Sequence, residues 1–214
     1  MADLNPGTLF LSFLVLLFSL TVHEAAHAWT ADRLGDPTGR NLGRVSLNPL
    51  VHIDLIGTIL LPLVAMFTGA PLIGWAKPVP VSLRALGRYP RDFMLVVFAG
   101  PASNLLLATA ASLALRAVPG EALGVGGVQV GAPLVHLLID AFQLNLLLAV
   151  FNLVPVPPLD GSNILGGVLR GALHRGYEAL RPYGVFILYA LMLSGKLGAI
   201  IGPPYVFLAR LLSL

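Results

Sequence analysis

Four stretches of this chain, roughly 8–32, 92–117, 134–153 and 183–212, are long and apolar enough to cross a bilayer. About 20 consecutive apolar residues cover the ~30 Å of hydrocarbon. Only 11% of the 214 residues are charged and 57% are hydrophobic, whereas a soluble domain carries about 25% charged residues. There is too little polar surface to coat a globule, so the sequence predicts an integral membrane protein with lipid as its surroundings. The net charge of +3 would suggest nucleic acid for a soluble chain. Here the thirteen Lys and Arg gather in loops, which membrane topology explains, and no nucleic-acid partner is expected. The absence of cysteine removes disulfides, thiolate metal sites and thiol nucleophiles. "MADLNPGT" has no basic n-region and no small-residue cleavage site follows the first apolar run, so that run is expected as a retained helix.

Basic residues sort the loops. Arg33, Arg40 and Arg44 form one group, Lys77, Arg84, Arg88 and Arg91 a second, and Arg170, Arg175 and Arg181 a third, whereas 118–133 has no Lys or Arg. The positive-inside rule puts the three groups in the cytoplasm and 118–133 on the other side. The run 55–73 lies between the first two groups and is interrupted by Gly57, Pro62, Gly69 and Pro71. It must then dip into the membrane and return. "GRVSLNP" and "GWAKPVPVS" show β-branched alternation bounded by Gly and Pro and read as extended backbone. Such backbone is tolerated in a membrane only against protein or a wet cavity. Lys196, Pro203 and Pro204 suggest that the last segment is one span plus a surface helix. The expected fold is an all-α polytopic membrane protein of about 4–6 transmembrane segments, with short membrane-associated β stretches and a re-entrant loop. One domain is expected over 1–214, with a core at 8–172 and a C-terminal helical segment at 183–214.

The first apolar run ends in "TVHEAAHAW". Ionisable groups in a lipid-spanning helix cost about 2.5–3.5 kcal/mol each when charged, so this placement calls for a compensating function. His23 and His27 stand i, i+4 and share one helix face. Both imidazoles can bind one small cation, with Glu24 beside it. H-E-x-x-H supplies two zinc ligands and a glutamate that activates water, and a catalytic zinc needs a third protein ligand. Asp160 is the best candidate, because "NLVPVPPLDG" ends an apolar helix in prolines that bend the chain. His52, after "RVSLNPL", is the next place to look. Asn145 and Asn152 are seven residues apart, on one face, and can orient a ligand or join helices. For Asn145, interhelical bonding is an equal reading.

"HEAAH" within a transmembrane helix, together with "NLVPVPPLDG" after a later one, resembles the site-2 protease family of intramembrane zinc metalloproteases. "AGPASN" at 99–104 resembles that family's Gly-Pro-x-x-Asn element, and "GRVSLNPLVHIDLIGTILLP" with "GWAKPVPV" resembles a compact subgroup. The resemblance covers roughly residues 12–165; the PDZ module and CBS pair of other members have no counterpart in the chain. It implies one zinc per chain held by His23, His27 and Asp160, with Glu24 as general base. It also implies that Asn152 lies near the site and brings in Asn104 as a site-orienting candidate. Transmembrane proteins are the implied substrates, and the inner membrane of a prokaryote is the implied location. Two other classes remain open on the residues alone. One is a transporter using His23, Glu24 and Asp160 as a proton or metal-ion path, which calls for polar residues on several helices. The other is a protease-like fold that binds membrane proteins without cutting them.

Overall fold

The computed structural model describes residues 6–60, 64, 76–118 and 132–212. Seven principal helices follow in order: α1 (Pro6–Arg33), α2 (Arg91–Ala117), α3 (Ala132–Asn152), α4 (Asp160–Val168), α5 (Gly171–Leu180), α6 (Gly184–Leu193) and α7 (Lys196–Leu212). Pro6 opens α1, where a missing N–H costs nothing. After Gly7 in the first turn no Gly or Pro follows until Gly35, which ends the run at φ +105°, a conformation that suits glycine. The α3 helix stops ahead of Pro155, Pro157 and Pro158, which cannot continue its hydrogen-bond ladder.

Helices α1, α2 and α3 pack against one another, α4 packs on α2, and α7 packs on α3 and α6. Val150, Val154, Leu159, Leu188, Leu197 and Ile201 form a buried cluster that ties the end of α3 and the proline turn to α6 and α7. A second cluster of Ala31, Leu86 and Val96 joins the end of α1 to the 76–91 connection and the start of α2. The first two basic groups therefore lie together at one end of the bundle, here called the basic end.

Among the described residues, three helices are long and apolar enough to cross a membrane: Phe10–Arg33, Arg91–Ala117 and Pro133–Asn152. A fourth is reached only if the pair Gly171–Leu193 and Lys196–Leu212, bent by 82°, makes one span. The structure thus supports three or four spans against the expected four to six. The last segment divides at Gly195, φ +71°, and Pro203 and Pro204 lie inside α7.

The expected β stretches are not confirmed, since there is no strand among the described residues. Pro78 and Pro80 have no N–H to give a ladder, and Val79 spends its amide on the Glu24 carboxylate at 3.3 Å. The 55–73 run opens with a π-helical turn, Leu55–Leu60, capped by Asp54, which accepts from the amides of Ile56 and Gly57. Apart from Val64, its remainder after Leu60 lies outside the described residues. The Lys77 amide donates to the His52 carbonyl at 2.8 Å, so residues 52 and 77 lie side by side.

Candidate metal centre

Within α1, the i, i+4 spacing brings the His23 and His27 rings to a centroid separation of 4.7 Å, nearly perpendicular at 88°. Their Nε2 atoms are 3.1 Å apart. Asp160, first residue of α4, points one oxygen at both, 3.1 Å from His23 Nε2 and 3.4 Å from His27 Nε2. The proline turn makes that approach, and it needs a glycine immediately after the aspartate. A Cβ on Gly161 would lie 2.2 Å from the Leu153 carbonyl oxygen, far inside contact distance. A Cβ on Gly100 would lie 2.4 Å from His27 Nε2 and 2.6 Å from His23 Cε1. The α2 backbone therefore forms a wall against both imidazoles that only glycine allows.

Which ring nitrogens carry protons follows from their partners. His27 Nδ1 faces the Val96 carbonyl at 2.7 Å and must donate. His23 Nδ1 faces Asn104 Oδ1 at 2.6 Å, and the orientation of that amide is anchored further away. Asn145 Nδ2 donates to the Ala141 carbonyl at 2.8 Å and to Ser19 Oγ at 2.9 Å, so its oxygen faces Asn104. Asn104 Nδ2 donates to that oxygen at 2.8 Å and reaches the Ser19 carbonyl at 3.4 Å. Only its oxygen is left for His23, whose Nδ1 is then the donor. Both Nε2 atoms consequently turn lone pairs toward Asp160. Asn104 and Ser19 are fully buried and Asn145 nearly so, so water does not compete for these bonds.

Three lone-pair atoms this close repel one another unless a cation or a shared proton lies among them. The participating Asp160 oxygen is buried without a hydrogen-bond donor. A tetrahedral zinc with bonds of about 2.0–2.1 Å spaces its ligands about 3.3 Å apart, and the separations here, 3.1, 3.1 and 3.4 Å, bracket that spacing. The donor set fits zinc. The Nδ1 bonds are the outer partners that fix ring orientation at such sites.

Other candidates fall differently. His52 is 2% exposed and bonds the Ser46 carbonyl through Nε2 at 2.9 Å. It is not in the cluster of His23, His27 and Asp160. Asn152 donates to the Leu148 carbonyl of its own helix at 3.0 Å, so its amide is used locally. Sequence reasoning missed Ser19, Gly100 and the Val96 carbonyl. "AGPASN" carried a signal for Gly100, but nothing local marks Ser19.

A bundle of membrane-crossing helices around a buried two-histidine, one-carboxylate site, with a glutamate one residue from the first histidine, defines a membrane metalloenzyme. Residues 122–195, a stretch that includes Asp160, match Peptidase family M50. A Bacillus subtilis protein named "Putative zinc metalloprotease YwhC" is 37% identical over 187 residues, 87% of this chain and 81% of the relative. Rip2 of Mycolicibacterium smegmatis, carrying the same designation, is 32% identical over 183 residues, 85% of this chain and 66% of the relative. Rip2 of Mycobacterium tuberculosis H37Rv is 32% identical over 184 residues with the same coverage. No solved structure matches the chain. The chain belongs to Peptidase family M50, the site-2 protease family, and is a zinc metalloprotease.

Proposed function

We propose that this enzyme is an intramembrane endopeptidase, cutting transmembrane substrate helices near the basic, cytoplasmic end of the bundle in the inner membrane of a prokaryote. The observation that carries the reading is the meeting of His23, His27 and Asp160 inside the helical core. His23 stands ten residues before the end of α1, about 15 Å below that end at 1.5 Å per residue. The reacting bond is thus drawn from the part of a substrate that lies within the bilayer.

His23, His27 and Asp160 hold one zinc ion per chain. When bound, zinc would lower the pKa of a water toward ~7 and polarise a carbonyl. Glu24 is the general base: it takes a proton from the attacking water and returns it to the leaving amine. In the structure its carboxylate accepts the Val79 amide, so the 76–81 segment passes beside the reacting position. A substrate helix must unwind before cleavage, because its carbonyls are all bonded within the helix. The extended 76–81 backbone offers it an edge to pair with, and this is the role left for the short β stretches expected from sequence. The neighbouring positions of His52 and Lys77 support a 55–73 run that re-enters and returns to the cytoplasmic side. A transporter is disfavoured because α2 offers few polar side chains beyond Asn104 toward its far end. A non-cleaving binder has no need of an intact Glu24.

The test compares zinc content and cleavage of a model transmembrane substrate across variants. Glu24→Gln should keep about one zinc per chain and lose cleavage by a factor of about 10²–10⁴. His23→Ala and Asp160→Asn should lose metal and activity together. Full zinc occupancy in His23→Ala would remove the assignment.

A further inference from the structure

Away from the metal centre, α1, α3 and α7 border a groove of about 610 Å³, whose lining includes Ser12, Asp140, Gln143, Gly198, Gly202 and Tyr205. Asp140 lies eight residues into α3 from Ala132, about 12 Å from that helix end, a depth within the hydrocarbon when α3 spans the membrane. A lone carboxyl there is costly, and an intramembrane ionisable group marks a functional site by default. The Ser12 hydroxyl donates to it. All thirteen Lys and Arg lie within the described residues, and the ion pairs formed there leave Asp140 without a cation. Opposite Asp140, Gly198 and Gly202 stand one turn apart on α7, and a Cβ added at either meets nothing within 4 Å. The space is open where α7 is thinnest.

We propose that this groove seats the far half of a substrate's transmembrane helix and selects segments that place a Lys or Arg opposite Asp140. The proposal rests on the proteolytic reading above and adds a substrate class to it. Charge complementarity favours a helix over lipid, since acyl chains leave the carboxyl uncompensated and a lipid ammonium group sits at the surface. A cationic side chain on a spanning helix reaches this depth. Ser12 and His23 are eleven residues apart on α1, about 16 Å along its axis. A helix anchored at Asp140 therefore presents its opposite half to the metal centre while that half stays free to unwind.

The experiment uses the full chain carrying Glu24→Gln in zwitterionic nanodiscs. The probes are two Leu/Ala transmembrane peptides that differ by one Lys or Leu in the far third. The Lys peptide should bind about tenfold more tightly, the scale of an interhelical polar contact in a bilayer. Asp140→Asn should erase that difference and leave zinc content unchanged, and Asp140→Lys should shift preference to a Glu-bearing peptide. Gly202→Leu, which adds bulk to the groove wall and leaves the carboxyl in place, should weaken binding of both peptides; unchanged binding of both would remove the groove as the seat, whether or not the Asp140 variants fold. Equal binding of the two peptides, or a difference that survives Asp140→Asn, overturns the proposal. If the chain with Glu24 intact still cleaves a substrate in that event, the proteolytic reading stands without it.

Discussion

The His23 imidazole is held by Asn104, and Asn104 by Asn145 and Ser19, so the direction of its lone pair is set by two amides that do not touch the metal position. Truncating such a partner at a zinc site costs about 10–100-fold in affinity. Asn104→Leu should fall in that range, measured by chelator competition on folded protein. Asn145→Leu should cost less, because Asn104 keeps its bond to the Ser19 carbonyl. Unchanged affinity in Asn104→Leu would show that His23 holds its orientation by other means. His23, Glu24 and His27 are legible as a group in sequence because the α-helix turns i and i+4 onto one face. The bond between Asn104 and His23 spans 81 positions, and no local pattern announces a pair so far apart.

Between elements, Asp36 fastens the connection 76–91 to the end of α1. It accepts from the Ser82 amide at 2.6 Å and from the Thr38 amide and hydroxyl. Burial pushes its carboxyl up, but the bonds from Thr38 and Ser82 outweigh burial and hold it below the usual carboxylate range. A carboxyl lowered in the fold stabilises it above the unfolded value of ~3.9. That contribution is lost as pH falls through the lower folded value. Asp36→Asn should therefore destabilise the protein by about 1–3 kcal/mol at neutral pH, and the gap in thermal midpoint should close as acid protonates the wild-type carboxylate. A gap independent of pH would place the effect in packing instead. The extended stretches show the limit of local reading here. Their β-branched residues suggest strands, yet prolines and a side-chain acceptor consume the donors a ladder needs.

For the molecule as a whole, the proposed topology puts 33–44 and 77–91 on one side of the membrane. The chain has no native cysteine, so single cysteines report sidedness without background. Arg40→Cys and Arg84→Cys should react with an impermeant maleimide from the cytoplasmic side only, and Gly126→Cys from the opposite side only. Labelling of Arg84→Cys from the same side as Gly126→Cys would mean that the 55–73 run crosses, contrary to the re-entrant reading.

What the sequence determined by itself was whatever depends on composition and short spacing. Low charge density and long apolar runs require a bilayer, because no other surroundings bury so much apolar surface at so little polar cost. A four-residue spacing puts two imidazoles on one face, and prolines after α3 end that helix where they stand. Tertiary structure alone decided that Asp160 meets the histidines, that Gly100 gives them room and that Asn104 orients one of them. It also left Asp140 facing an open groove. Each of these is a contact between helices distant in sequence, and a helix carries no local record of which face its neighbours will cover.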